Sequence, residues 1–428
     1  MSSFTQDYPE HIGCHTIYDA LIDKYRPLQA SDFVGGGAGA DAFGRQRVSN
    51  PEMIFNSKQV FDNQPLYWDD AQESGSGTSS TYSNNTASST LSVSASTAGK
   101  RTRQTFMRFN YQASKSQLIF ITGILKASGG GSGIITRMGY FDDNNGLFLE
   151  CNAGTINLVR RTYVTGAAVD NLIPQSSWNL DKMDGTGSSK ITLDFTKTQI
   201  FMMDFEWLGV GRVRFGFNVA GITYYVHELS AANSLTTVYM STPNLPLRYQ
   251  IINDGTGVAS SINCICSAVI SEGGREEVAT NGYISTANTS ITATKNVTNA
   301  ILAARLKSGY LGATIDILDL SLLTTSNDNY QWQLYMNPSG INGLTYSGLN
   351  NSSLEYAVAP NGTTISGGFA IAGGYAQAKT DIQAASLKSL MKLGSSITGR
   401  KDVLVLSCLP LGASDSVVYG SLNYREFN

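Results

Sequence analysis

At 428 residues the chain is longer than one ordinary core encloses, so two domains are the expectation. Charged residues make up 15% of it, against roughly 25% in a typical soluble domain, and the net charge is −3. With no lysine- or arginine-rich block, nucleic-acid binding has no electrostatic support.

No apolar run reaches the roughly 18 residues of a membrane span, and the stretch MSSFTQDYPEHIG has neither the basic start nor the apolar centre of a secretory signal. Ser, Thr, Asn and Gly keep the surface wet instead. Such a surface suits a protein packed against neighbours or working outside a cell. It equally suits any all-β domain, because strands favour Thr and turns favour Gly, Asn and Ser.

Residues 1–40 stand apart. Ile17, Leu21, Ile22 and Tyr25 recur near helical spacing and predict one short helix over residues 16–25, ended by Pro27. Residues 34–40, valine followed by glycines and alanines, form a linker by composition. The segment reads as an arm that docks onto another subunit, or else as a poorly ordered terminus.

Residues 41–275 read as strands. Gln117–Thr122 and Leu147–Glu150 are short apolar runs, while Ile191–Phe195, Gly221–His227 and Arg212–Val219 alternate; Val213, Phe215, Phe217 and Val219 share one face. Turn clusters at residues 129–133, Asp142–Gly146 and Asp184–Gly187 recur at intervals that suit antiparallel sheets. The tract Glu73–Thr97 reads as an exposed loop or a long polar edge.

Ser271–Glu277 is the expected boundary, followed by a second, smaller strand series over residues 276–428. Ala313–Leu320 and Tyr330–Met336 are its clearest members, Gly367–Tyr375 predicts close backbone packing or a bulge, residues 382–393 one short helix, and Asp402–Ser407 a buried strand. The expected fold is therefore all-β: two antiparallel sandwich or jelly-roll-like domains, residues 41–275 and 276–428, behind a short N-terminal arm.

Candidate chemistry is sparse. Asp142–Gly146 resembles a calcium loop, but counted as an EF-hand it places Gly146 at position 5 and Ala153 at position 12, so a hairpin turn is the better reading. Asp204 and Glu206, two apart beside Phe205 and Trp207, have the residue types of a glycosidase pair; solvated carboxylates, or carboxylates paired with Arg212 and Arg214 across a hairpin, are the plainer account. Cys264 and Cys266 lack the spacing of a redox or zinc motif, and five scattered cysteines make a poor disulfide framework. Three histidines, His11, His15 and His227, make a zinc site unexpected. No catalytic residue, metal ligand or cofactor site is assigned. The aromatic side chains Tyr67, Trp68, Tyr82, Trp178 and Tyr346 sit near polar turns, where they suit sugar contact, a core or a subunit interface.

Several spaced stretches resemble a family of virion structural proteins of tailed phages and environmental viral genomes. They are Ala42–Pro51 (AFGRQRVSNP), Gly139–Gly146 (GYFDDNNG), Trp178–Asp181 with Asp184–Gly187, Trp207–Arg214 (WLGVGRVR), Thr242–Tyr249 (TPNLPLRY) and Cys264–Ser267 followed by Glu272–Gly274. The likeness covers about residues 41–275. It implies a non-enzymatic fibre, spike or capsid-decorating protein on the virion exterior, partnered by other virion proteins and by its own copies, with a trimer favoured. A receptor- or carbohydrate-binding adhesion protein of the virion is the alternative reading, and a tailspike-like polysaccharide hydrolase a third. No membrane or nucleic-acid partner is expected.

Overall fold

The computed structural model describes Thr16–Asp19, Lys24–Pro27, Ala42 and residues 50–274, 279–379, 381–385 and 392–427. Among these residues there is no α-helix, and every strand pairing is antiparallel. The alternating sequence dictates this arrangement: one side of each strand is apolar and must be covered by a second sheet.

The first pair of sheets uses residues 52–271. Its seven-stranded sheet runs from edge to edge Val169–Pro174, Thr155–Thr162, Gly146–Asn152, Ile134–Phe141, Leu247–Asn253, Gly99–Thr105 and Trp68–Gly75. The facing eight-stranded sheet runs Ile222–Ser230, Arg212–Val219, Gln199–Phe205, Gln117–Ser128, Ser260–Ser271, Ser88–Val93 and Thr78–Ser83, with Glu52–Lys58 also paired to Ser260–Ser271. Between them lies one core that includes Met138, Tyr140, Leu147, Leu149, Phe201, Phe205, Phe215, Phe217 and Tyr249. Val213, Phe215 and Phe217 share the buried face as expected, and the Phe201 and Phe217 rings lie 5.3 Å apart.

The second pair uses residues 280–427. A five-stranded sheet places Ser416–Phe427 between Thr280–Ser285 and Thr314–Thr324, with Asp381–Ala385 outermost and Ile291–Ala293 also paired to Ser416–Phe427. A six-stranded sheet runs Ser347–Gly348, Leu354–Val358, Asn299–Leu306, Leu404–Pro410, Tyr330–Met336 and Phe369–Ala376. Its separate core is aliphatic, built from residues such as Leu302, Leu320, Leu334, Leu406 and Leu422. The change of sheets falls between Ser271 and Thr280.

Three elements differ from expectation. In place of the helix expected over residues 16–25, the described Thr16–Asp19 pairs with Lys24–Pro27, with Ile17 opposite Arg26 and Tyr18 opposite Tyr25. An isolated ten-residue helix is marginal in water, whereas β-branched and aromatic residues gain from cross-strand pairing. Leu21 and Ile22, the linker, and all of Ala42–Pro51 except Ala42, Asn50 and Pro51 lie outside the described residues. The helix expected from residue 382 is, over Asp381–Ala385, an edge strand on Thr314–Thr324. Ile191–Phe195 is not a strand. Only Thr192 bridges Asp184, and the Asp194 carboxylate accepts bonds from the Thr196 amide and hydroxyl, curling the chain into a turn.

The glycine-rich strand behaves as its composition implies. Phe369–Ala376 is an edge strand whose register slips between Leu334 and Tyr335 of its neighbour. Gly368, at φ +74°, passes so near the Met336 carbonyl that a Cβ would lie 2.7 Å from it. The tract Glu73–Thr97 folds largely as a hairpin whose outer strand, Thr78–Ser83, is a polar sheet edge.

Candidate functional site

The carboxylate pair resolves into structure. Asp204 is fully buried on the outer face of the eight-stranded sheet, directly opposite Arg214. Its Oδ2 accepts bonds from Arg214 Nη2 at 2.5 Å and from the Tyr225 hydroxyl at 2.7 Å, and its Oδ1 accepts from Ser116 Oγ at 2.6 Å. The Arg214 guanidinium also lies 4.2 Å from the Tyr225 ring centre. Both oxygens are thus committed to partners, as in a buried structural ion pair. Glu206 lies past the strand end in the turn before Arg212, where its Oε1 accepts the Arg212 amide at 3.1 Å. Asp204 thus pairs with Arg214 across the hairpin, while the Arg212 guanidinium pairs with Glu228 at 3.2 Å and gives Glu206 only its backbone amide.

The turn explains the WLGVGRVR stretch. Leu208 and Gly209 both have positive φ, at 35° and 79°, and a Cβ on Gly211 would lie 2.4 Å from Glu206 Cγ. Trp207 donates to the Met240 carbonyl at 3.1 Å. The TPNLPLRY stretch wraps a buried hydroxyl: Tyr140 OH takes the Leu245 amide at 3.1 Å and lies 2.8 Å from the Pro243 carbonyl. Asp142, in the GYFDDNNG hairpin turn, accepts the amides of Asn144 and Asn145. These stretches shape turns and satisfy buried polar groups.

On the seven-stranded sheet, the face away from the core carries arginines over aromatic rings. Phe141 and Phe148 lie 4.3 Å apart, with Arg137 and Arg161 over Phe148 and Arg248 over Phe141. Each guanidinium is also tied to an acid: Arg137 to Glu150 at 2.7 Å, Arg161 to both oxygens of Asp170, and Arg248 to Asp143 at 2.7 Å.

Of the aromatic candidates, Trp68 and Trp178 are core residues and not surface contacts. They are 4% and 3% exposed, and their indoles donate to Ser57 Oγ and to the Ile173 carbonyl. Their flat rings fill the gap at the edge of the core, where Trp178 stacks 6.0 Å from Phe217. Tyr82 is half-buried and donates to the Gln59 carbonyl. Tyr67 is exposed. Cys264 is buried and Cys266 half-buried, because a bulge between Cys264 and Ser267 breaks the alternation that would give them one face. His227 accepts the Asn179 amide on Nδ1, and burial lowers its pKa. Among the described residues no group of three or more His, Cys, Asp or Glu is placed to hold a metal ion, and no helix is long and apolar enough to cross a membrane.

Tyr346 opens onto a cavity. The outer face of the six-stranded sheet is made small by Ala300, Ala303 and Ala357, and Ile341, Leu344 and Tyr346 of the following loop pack onto it. Asn337, at φ +52°, anchors the loop's start. It donates to Asp402 at 2.8 Å and accepts the Val403 amide at 2.8 Å. Between loop and sheet is a cleft of about 390 Å³, lined by Arg305, Asn337, Asn342, Tyr346, Arg400 and Lys401 among others.

Arg305 lies 3.6 Å from the centre of the Tyr346 ring and bonds through Nε to Glu355 at 2.6 Å, and Lys401 joins the same carboxylate at 2.7 Å. Burial pushes the Glu355 carboxyl up, but these bonds and charges outweigh it and hold it below the usual range. The Tyr346 hydroxyl is shielded from solvent and meets no hydrogen-bond partner among the described residues. Burial raises its pKa. Sequence reasoning found Tyr346 from its place at a polar turn; Arg305, Arg400 and Lys401 sit far from it in sequence and give no shared signal.

No family model and no curated protein matches the chain. Among solved structures, a legume lectin-like domain from Entamoeba histolytica aligns at 8% identity and a TM-score of 0.31, over 50% of this chain and 96% of its own. An endo-1,3-beta-glucanase from Streptomyces sioyaensis aligns at 11% and 0.33, over 53% and 98%. The CBM2 module of the evolved Dit of Lactobacillus casei BL23 phage J-1 aligns at 8% and 0.32, over 51% and 95%. At such scores these likenesses assign neither site nor activity to this chain.

Proposed function

We propose that this chain is a non-enzymatic structural protein on the exterior of a virus particle, and that it contacts a host-surface glycan through the cleft beside Tyr346. The observation that carries the glycan part is a half-buried aromatic ring whose shielded hydroxyl has no protein partner, set among Asn337, Asn342 and three cations. A buried hydroxyl left unpaired costs about 1–3 kcal/mol, which a sugar hydroxyl or acid would recover where a shift of the Ile341–Tyr346 loop admits it. No carboxylate lines the cleft, and Asp204, the buried member of the notable carboxylate pair, is sealed by Arg214, Tyr225 and Ser116. Binding without turnover fits both facts.

The placement on a particle rests on the spaced motifs and on a surface poor in charge and rich in Thr, Ser, Asn and Gly. In this reading the chain forms a fibre, spike or capsid-decorating oligomer, a trimer being the favoured closed form, in contact with other virion proteins. Gold-labelled antibody against the chain, imaged on intact particles, tests the placement. Label on the head or tail supports it and separates decoration from fibre; particles that bind no label contradict it.

A further inference from the structure

We propose that the glycan unit taken by this cleft carries an anionic substituent, a carboxylate or a phosphate. The inference rests on the glycan reading and names the ligand's chemistry. In a chain of net charge −3, the cleft is lined among the described residues by three cations, Arg305, Arg400 and Lys401, and by no acid. Glu355 offsets one of these charges while bonding to both Arg305 and Lys401, and the buried Asp402 acts on Arg400, so three cations face two carboxylates and the cleft keeps an excess of positive charge.

The cations are held for recognition in different ways. Arg305 is fixed in plane by the Tyr346 ring and by its Nε bond to Glu355. A guanidinium so held is preorganised for the two-point binding of a carboxylate or phosphate. Lys401 is drawn inward by the same acid. Arg400, whose side chain no acid pairs among the described residues, is exposed on the Ser396–Arg400 turn at the cleft's rim, where its amide donates to Ser396 Oγ at 2.9 Å. The Tyr346 hydroxyl adds a donor that a shift of the Ile341–Tyr346 loop would uncover. Two asparagines supply donors and acceptors for the neutral part of a sugar, and Ile341 and Leu344 an apolar wall. A purely neutral sugar would leave the excess charge uncompensated.

The test is calorimetric titration of the full chain with tetraglucuronic acid, with glycerol phosphate oligomers and with cellotetraose. At low salt at least one acidic probe should bind about tenfold or more tightly than cellotetraose, and the preference should shrink as salt screens it. Which acidic probe wins tells carboxylate from phosphate. Arg400→Ala should weaken the acidic probe about three- to tenfold and leave cellotetraose unchanged. Tyr346→Phe, which keeps the ring on Arg305, should weaken it about fivefold with a melting temperature no lower than that of the wild type. Cellotetraose binding as tightly as the acids, with Tyr346→Phe weakening both, would overturn the anionic inference and leave the glycan reading standing. Binding of none of the probes would overturn both, whatever the particle labelling shows.

Discussion

On the outer face of the eight-stranded sheet the buried Asp204 closes on its neighbours, whereas on the outer face of the six-stranded sheet the charges stop at a cleft. Asp204 satisfies Arg214, Tyr225 and Ser116 at once, and Arg161 grips Asp170 with two bonds. Around Tyr346, Arg305 and Lys401 share the carboxylate of Glu355, Arg400 stands apart from it, and a shielded hydroxyl is left over. The cores differ in the same sense. The first is packed with aromatic rings, and the second with leucines and alanines that leave room for a loop to ride over the sheet. A closed polar network rigidifies a scaffold, while an unfinished one is where a ligand's groups can enter.

The largest effect that sharpens this contrast is at Asp204. Asp204→Ala leaves the Arg214 guanidinium buried without its acid and should cost about 3–5 kcal/mol of unfolding free energy, read by denaturant titration. Tyr346→Phe should cost no stability and raise it by up to about 1–3 kcal/mol, because it removes a buried hydroxyl that has no protein partner. Equal losses at the two sites would erase the distinction between scaffold and cleft.

Much of the fold was legible in the sequence because alternation reports directly which face of a strand is covered. Arg212–Val219 and Tyr330–Met336 are strands with the bounds their patterns imply. The segments that misled are those where periodicity is short and a neighbour decides: Ile17 to Tyr25 mimics one helical face over nine residues, and residues 382–385 become a strand because an edge is there to pair with. The candidate site was half legible. Tyr346 stood out beside its turn, but Trp68 and Trp178 looked equally exposed, since nothing local distinguishes an aromatic at a turn from one capping a core edge. The cleft's cations come from separate stretches that only the sheet brings together.

A smaller effect is acid sensitivity of opposite sign in the two regions. Burial pushes Asp170 up, but the Arg161 bonds and charge outweigh it and hold its carboxyl below the ordinary range. Its contribution is therefore full above the unfolded pKa of roughly 3.9 and is lost as pH falls through the lower folded value. Asp402 is raised by burial more than Asn337, the Gly394 amide and Arg400 can lower it. It withholds stability at neutral pH, and that stability returns as pH falls through its raised folded value. Asp170→Asn should cost about 0.5–1 kcal/mol at pH 7 and flatten the acid limb of an unfolding-versus-pH curve, and Asp402→Asn should flatten the opposing slope. The same slope change from both variants would contradict the assignment.

The central claim, that the second sheet pair supplies the binding surface of a particle protein, is tested most directly by competition for host cells. Purified full chain, added before particles, should reduce adsorption, and Tyr346→Phe or Arg400→Ala chain of equal stability should compete several-fold less well. A wild-type chain that leaves adsorption unchanged, or variants that block it as fully as the wild type, would contradict it.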